Sequence, residues 1–175
     1  MNLLRDAPLW AQVLLVAILL GAAMQDIARR QISNWLCLAV MLTAVASAIA
    51  TGPTLALWQN ALCFALLLAL GTPLFAAKWL GGGDVKLIAA VGLWANFAVI
   101  LPLIAFILIG GGVLAAISLA VRRGRVAQRA EGVPYGVAIA LGAAIVLLQP
   151  ALFETKSQQP NPLDLKAARE RYASR

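Results

Sequence analysis

The chain has 175 residues, of which 62% are hydrophobic and 12% charged, and its net charge is +7. So apolar a composition exceeds what one soluble core of this size buries, and it implies an integral membrane protein. Histidine is absent, which excludes Ser-His and Cys-His catalysis, histidine-held zinc and histidine-ligated haem.

A helix that crosses a membrane needs about 20 apolar residues. Six apolar segments meet or approach that length. The first runs from Pro8 to Met24, the second from Trp35 to Ala50, and the third from Leu55 to Ala77. The fourth is short, from Val85 to Trp94, and breaks at Asn96. The fifth runs from Phe97 to Val121 with Gly110, Gly111 and Gly112 inside it, and the sixth from Val133 to Leu148. The expected fold is therefore all-α, a polytopic membrane protein with about six transmembrane helices over residues 1–150. Residues 151–175 form a polar tail, amphipathic or disordered. The first segment ends at Gln25-Asp26 rather than at small residues, so it reads as a helix and not as a cleaved leader.

The loops alternate in charge. Arg29 and Arg30 follow the first segment, Lys78 precedes the fourth, and Arg122, Arg123, Arg125 and Arg129 follow the fifth. The other two internal loops carry no Lys or Arg. The positive-inside rule places the basic loops in the cytoplasm, so the chain is expected to be a multi-pass protein of the cell inner membrane. The basic tail pulls the other way, with Lys156, Lys166, Arg169, Arg171 and Arg175, and a tail that folds back would relieve that tension. The net charge then reflects membrane lipid as a partner and not nucleic acid. Cys37 and Cys63 sit in apolar runs without a CxxC, so neither a disulfide nor a metal site is expected. Trp10, Trp35, Trp58, Trp79 and Trp94 fall near segment ends, as an interfacial aromatic belt does.

Two acids stand apart from the flanks, the basic loop and the tail. Asp26 follows the first segment, and Asp84 lies where Gly81-Gly82-Gly83 meets the fourth. Ionisable groups at membrane depth are costly and tend to be functional. Alternation puts both at the cytoplasmic face, on different helices, where two carboxylates can meet. Such a pair shares a proton near neutral pH, so one can activate water while the other protonates a carbonyl. Taken singly, each has a plainer reading. Asp26 is equally an interfacial acid beside Arg29 or Arg30, and Asp84 equally a helix N-cap. Lys86 either tunes Asp84 or snorkels to lipid phosphates. Asn34 and Tyr135 either bond near the site or serve as a helix-start residue and an interfacial aromatic. The glycines inside the fifth segment suit close helix packing.

Gly81-x-Gly83-Asp84-x-Lys86 resembles the GxGDxK signature of the type IV prepilin leader peptidases, which are intramembrane aspartic proteases. Asp26-Ile27-Ala28-Arg29-Arg30-Gln31-Ile32-Ser33-Asn34 resembles that family's first aspartate motif, with Ser33 where proline is usual. Val133-Pro134-Tyr135-Gly136 resembles the start of its last helix, with Val137 in place of a common second proline. The resemblance covers roughly residues 8–149. It implies that Asp26 and Asp84 form a catalytic pair, with Gly81, Gly83, Lys86, Asn34, Pro134, Tyr135 and Gly136 in binding or supporting roles. The implied substrate is a prepilin or pseudopilin precursor, whose short basic leader is removed at the cytoplasmic face without metal or organic cofactor. The long members' paired CxxC motifs are missing, so the chain looks like the small peptidase-only branch of tight-adherence (Flp) pili, without methyltransferase activity. A transporter subunit with the aspartates as an ion relay, and a non-catalytic pilus assembly subunit, are the competing readings. No repeat relates residues 8–77 to 85–149, as many transporters would show.

Overall fold

The computed structural model describes residues 2–52, 57–122 and 135–148. All regular structure among them is helical: α1 (Leu3–Asp6), α2 (Leu9–Arg29), α3 (Asn34–Thr51), α4 (Leu57–Ala76), α5 (Gly82–Gly92), α6 (Phe97–Arg122) and α7 (Tyr135–Leu148). Four are long and apolar enough to cross a membrane: α2, α3, α4 and α6, the last through Phe97–Leu114. The two shorter ones, α5 and α7, are the fourth and sixth apolar segments of the sequence. The protein is an all-helical, multi-pass membrane protein. Pro134, the Arg123–Arg129 stretch and the 151–175 tail lie outside the described residues.

The bundle is organised around its shortest apolar helix. α5 packs on α4, α3 and α7, while α2 packs between α3 and α7, and α6 covers α7. Accordingly α5 is buried almost all round, at Val85, Leu87, Ala89, Ala90, Val91 and Gly92. The longer outer helices bury only a stripe. In α2 the buried residues are Ala11, Leu15, Leu19, Ala22, Ala23 and Asp26, one face at helical spacing. Leu9, Leu20, Met24 and Ile27 on its other faces are exposed, as residues that meet lipid are. α2 reaches Arg29, so Asp26 lies in its last turns and on its inward stripe rather than beyond its end.

α1 was not legible as an element. Its Leu3 and Leu4 are buried, and Leu4 N–H donates to the Trp94 carbonyl at 3.1 Å. It thereby covers the far end of α5, which is too short to fill the bundle. Trp94 is a second departure from expectation. It is fully buried rather than part of a belt, and its indole N–H donates to the Val40 carbonyl at 3.1 Å. A short central helix leaves a space that a large side chain fills. The remaining tryptophans, Trp10, Trp35, Trp58 and Trp79, are exposed. Nearby, Asn60 is buried and its Nδ2 donates to the Leu93 carbonyl at 3.1 Å, tying α4 to the end of α5. Trp94→Ala is expected to destabilise the bundle by about 3–5 kcal/mol, read as a lower thermal midpoint in detergent, because the vacated volume cannot collapse fully.

Candidate active site

The C-terminal end of α2 and the N-terminal ends of α3, α5 and α7 meet at one end of the bundle. Asp26 comes from α2. It is 5% exposed, and its Oδ2 accepts the Gly136 N–H at 2.6 Å. Gly136 is the second residue of α7, so the carboxylate sits at the unpaired N–H groups of a helix start, where a negative charge is favoured. Arg30, one turn on, also acts on Asp26 through its charge.

Asp84 is half-buried in the first turn of α5. It is not the N-cap. Gly81 holds that position, because α5 starts at Gly82, and the Asp84 Oδ2 reaches back to accept the Gly81 N–H at 3.2 Å. This bond fixes the carboxylate at the mouth of the glycine run. The Asp26 carboxylate is one of the charges acting on Asp84, so the two acids, from α2 and α5, feel each other's charge at this end of the bundle.

The turn between α2 and α3 forms the floor beneath Asp84. Arg30 adopts a left-handed conformation (φ 52°) and donates its N–H to the Asp26 carbonyl at 2.8 Å, which ends α2 and reverses the chain. Ser33 Oγ accepts the Trp35 N–H at 3.3 Å and so caps α3. Ile32 lies directly on Gly83: a Cβ added to Gly83 would stand 3.0 Å from the Ile32 Cβ and 3.1 Å from its carbonyl oxygen. The Cys37 thiol faces the Gly83 carbonyl at 3.9 Å.

Lys86 and Asn34, named separately from the sequence, are partners. Lys86 Nζ donates to Asn34 Oδ1 at 2.9 Å, joining α5 to the start of α3 two residues beyond Asp84. Tyr135 is half-buried with its ring over Gly111, where an added Cβ would stand 2.7 Å from the ring. It packs α7 on α6. The structure thus brings Asp26, Asp84, Gly81, Gly83, Lys86, Asn34 and Gly136 to one end of the bundle, and sets the Tyr135 ring against α6. Gln25 and Ile32 belong to the same constellation but carry no chemical signature in sequence; only their neighbourhood with Asp26 and Asn34 hinted at them.

Among the described residues no three His, Cys, Asp or Glu side chains gather as a metal-ligand set would. Cys37 and Cys63 are both buried free thiols. A cavity of about 370 Å³, lined by Ala44, Val45, Ile49, Asn60 and Leu93 among others, lies at the opposite end of the bundle and offers no group for catalysis. Residues 13–120 match the family model described as the type IV leader peptidase family. The matched stretch contains Asp26 and Asp84 and ends before Tyr135. No curated protein and no solved structure matches the chain significantly.

Proposed function

The chain belongs to the type IV leader peptidase family, a membrane peptidase family acting on prepilin-type precursors, and on that premise we propose that Asp26 and Asp84 are its catalytic pair. The observation that carries this is that two carboxylates from separate helices, each held by one backbone N–H, lie at one end of the bundle and act on each other through their charge. Two carboxylates that act on each other in one site favour a state in which one proton is shared. The ionised carboxylate takes a proton from water as the water oxygen attacks the scissile carbonyl carbon. The protonated carboxyl gives its proton to the carbonyl oxygen, so a neutral tetrahedral diol forms. Its collapse breaks the C–N bond, with a proton passing to the departing amine and the pair restored. The reaction needs neither histidine nor metal.

Arg29, Arg30, Lys78 and Lys86 lie at the same end as the two aspartates. Basic residues mark the cytoplasmic side, which supports cleavage at the cytoplasmic face of the inner membrane. The substrate is a precursor with a short basic leader ahead of an apolar helix, of the tight-adherence (Flp) type. The enzyme is an aspartic-type endopeptidase without methyltransferase activity, over a membrane domain of residues 1–150 and a tail of 151–175. The test is to reconstitute the protein in lipid with such a precursor and to determine the product N-terminus by mass spectrometry, with and without a metal chelator. One cut ahead of the apolar helix, unchanged by chelation and with an unmethylated new N-terminus, is expected. Cleavage lost on chelation contradicts the aspartate mechanism.

A further inference from the structure

Gln25 directly precedes Asp26, and its side chain reaches across the α2–α3 turn. Its Oε1 accepts the Ser33 N–H at 3.0 Å. The amide orientation is not ambiguous, because a backbone N–H can only donate and must face the oxygen. The bond is half-buried and spans the whole turn that links α2 to α3.

What that turn touches makes the bond consequential. Ile32, next to Ser33, forms the surface on which Gly83 lies, with contacts near 3 Å awaiting any added Cβ. Asn34, on the other side of Ser33, accepts from Lys86 at 2.9 Å. Gly83 and Lys86 flank Asp84 in α5. A shift of Ser33 therefore moves both supports of Asp84 together, relative to an Asp26 that α2 and Gly136 hold in place.

We propose that Gln25 is a positioning residue that couples the two aspartates, clamping the turn at Ser33 so that Asp84 stands at its working distance from Asp26. This rests on Asp26 and Asp84 being the catalytic pair. Gln25 touches no reacting atom; it acts through the turn. The backbone at Ser33, φ −67° and ψ 138°, is the conformation that proline imposes. A proline at position 33 can therefore replace the clamp by a covalent restraint, although it removes the N–H that Gln25 holds.

The experiment measures kcat and KM for a precursor peptide with the full-length protein in lipid. Gln25→Ala and Gln25→Asn, the second keeping the amide but shortening its reach, are each expected to lower kcat by roughly 10- to 100-fold, since small displacements of catalytic groups cost that much. KM is expected to stay within about twofold, because binding is not the affected step. Ser33→Pro alone is expected to stay within about threefold of wild type, and Gln25→Ala added to Ser33→Pro to cost nothing further, because the restraint no longer depends on Gln25. Wild-type kcat in both Gln25 variants overturns the proposal. So does a loss that Ser33→Pro fails to relieve, or a loss confined to KM. Asp26→Asn and Asp84→Asn run in the same assay separate the two levels. If either aspartate variant cleaves normally, the catalytic pair itself is wrong and the role of Gln25 falls with it. If both are inactive while the Gln25 variants are normal, only the clamp is wrong.

Discussion

Asparagine at position 26 or at position 84 is expected to lower precursor cleavage by about 10²- to 10⁴-fold, the range that one proton-transferring group contributes. The substitution is close to isosteric, so the two variants isolate chemistry from packing. An asparagine Oδ1 can still accept the Gly136 N–H that Asp26 holds at 2.6 Å, or the Gly81 N–H that Asp84 holds at 3.2 Å. What is lost is the capacity to take up and release a proton. Asp26 is the more sensitive position structurally, because it is buried on the inward stripe of α2. There, exchanging a carboxylate for a neutral amide removes a charge from a site with little water, which does not weaken the fold by desolvation. Both variants should therefore insert and melt like the parent while precursor accumulates uncut on gels. A variant that cleaves at the parent rate would return that aspartate to its plainer reading, as an interfacial acid or a helix-start residue.

The second large effect is expected at Gly136. A Cβ there would stand 2.9 Å from the Asp26 Oδ2, 3.0 Å from its Cβ and 3.2 Å from its Cγ. Neither the carboxylate nor the α2 backbone behind it can yield without changing the 2.6 Å bond. Gly136→Ala should thus push Asp26 off the start of α7, or α7 off α2, and lower the cleavage rate by about 10²-fold, as an ångström-scale misplacement does. Gly112→Ala is the matched control. Gly112 lies in α6 with no atom within 4 Å of an added Cβ, and alanine in a helix interior is favoured over glycine by about 0.5–1 kcal/mol. It should leave the rate unchanged and the thermal midpoint equal or higher. Equal rates for Gly136→Ala and Gly112→Ala would show that the Gly136 N–H does not hold Asp26 in its working place.

Most of the helical architecture was legible because membrane spans announce themselves by length and apolarity. The second and fifth segments, Trp35–Ala50 and Phe97–Val121, match α3 and α6 to within a residue at each end. The first was cut short at Met24, because hydropathy stops at Gln25 whereas the helix continues on backbone bonds to the left-handed Arg30. The inward face of α2 was barely legible. Lipid and core both accept leucine and alanine, so an apolar helix carries little record of which side is buried, and only Asp26 marks it. α1 escaped for its brevity, and Trp94 because burial at the end of α5 and exposure at an interface both favour tryptophan at a helix end.

The two aspartates could be singled out because charge is rare here, and the motifs around them added glycine, lysine and asparagine. Sequence could not supply the cross-links. That Lys86 bonds Asn34, 52 positions away, and that Gly136 bonds Asp26, 110 positions away, follow from how α2, α3, α5 and α7 converge. Nor could it show that Asp84 sits inside the first turn of α5 rather than at its cap, since Gly82 and Gly83 favour a break and become helical only under tertiary packing.

Whether Asp26 and Asp84 work as one unit is tested most directly by initial rates of precursor cleavage in lipid for the parent, Asp26→Asn, Asp84→Asn and the double variant. Groups that serve one proton circuit are non-additive, so removing the second should cost almost nothing once the first is gone. Catalysis by the pair predicts that the double variant cleaves within about threefold of either single one, all far below the parent. Losses that multiply, or a single variant at the parent rate, would contradict it.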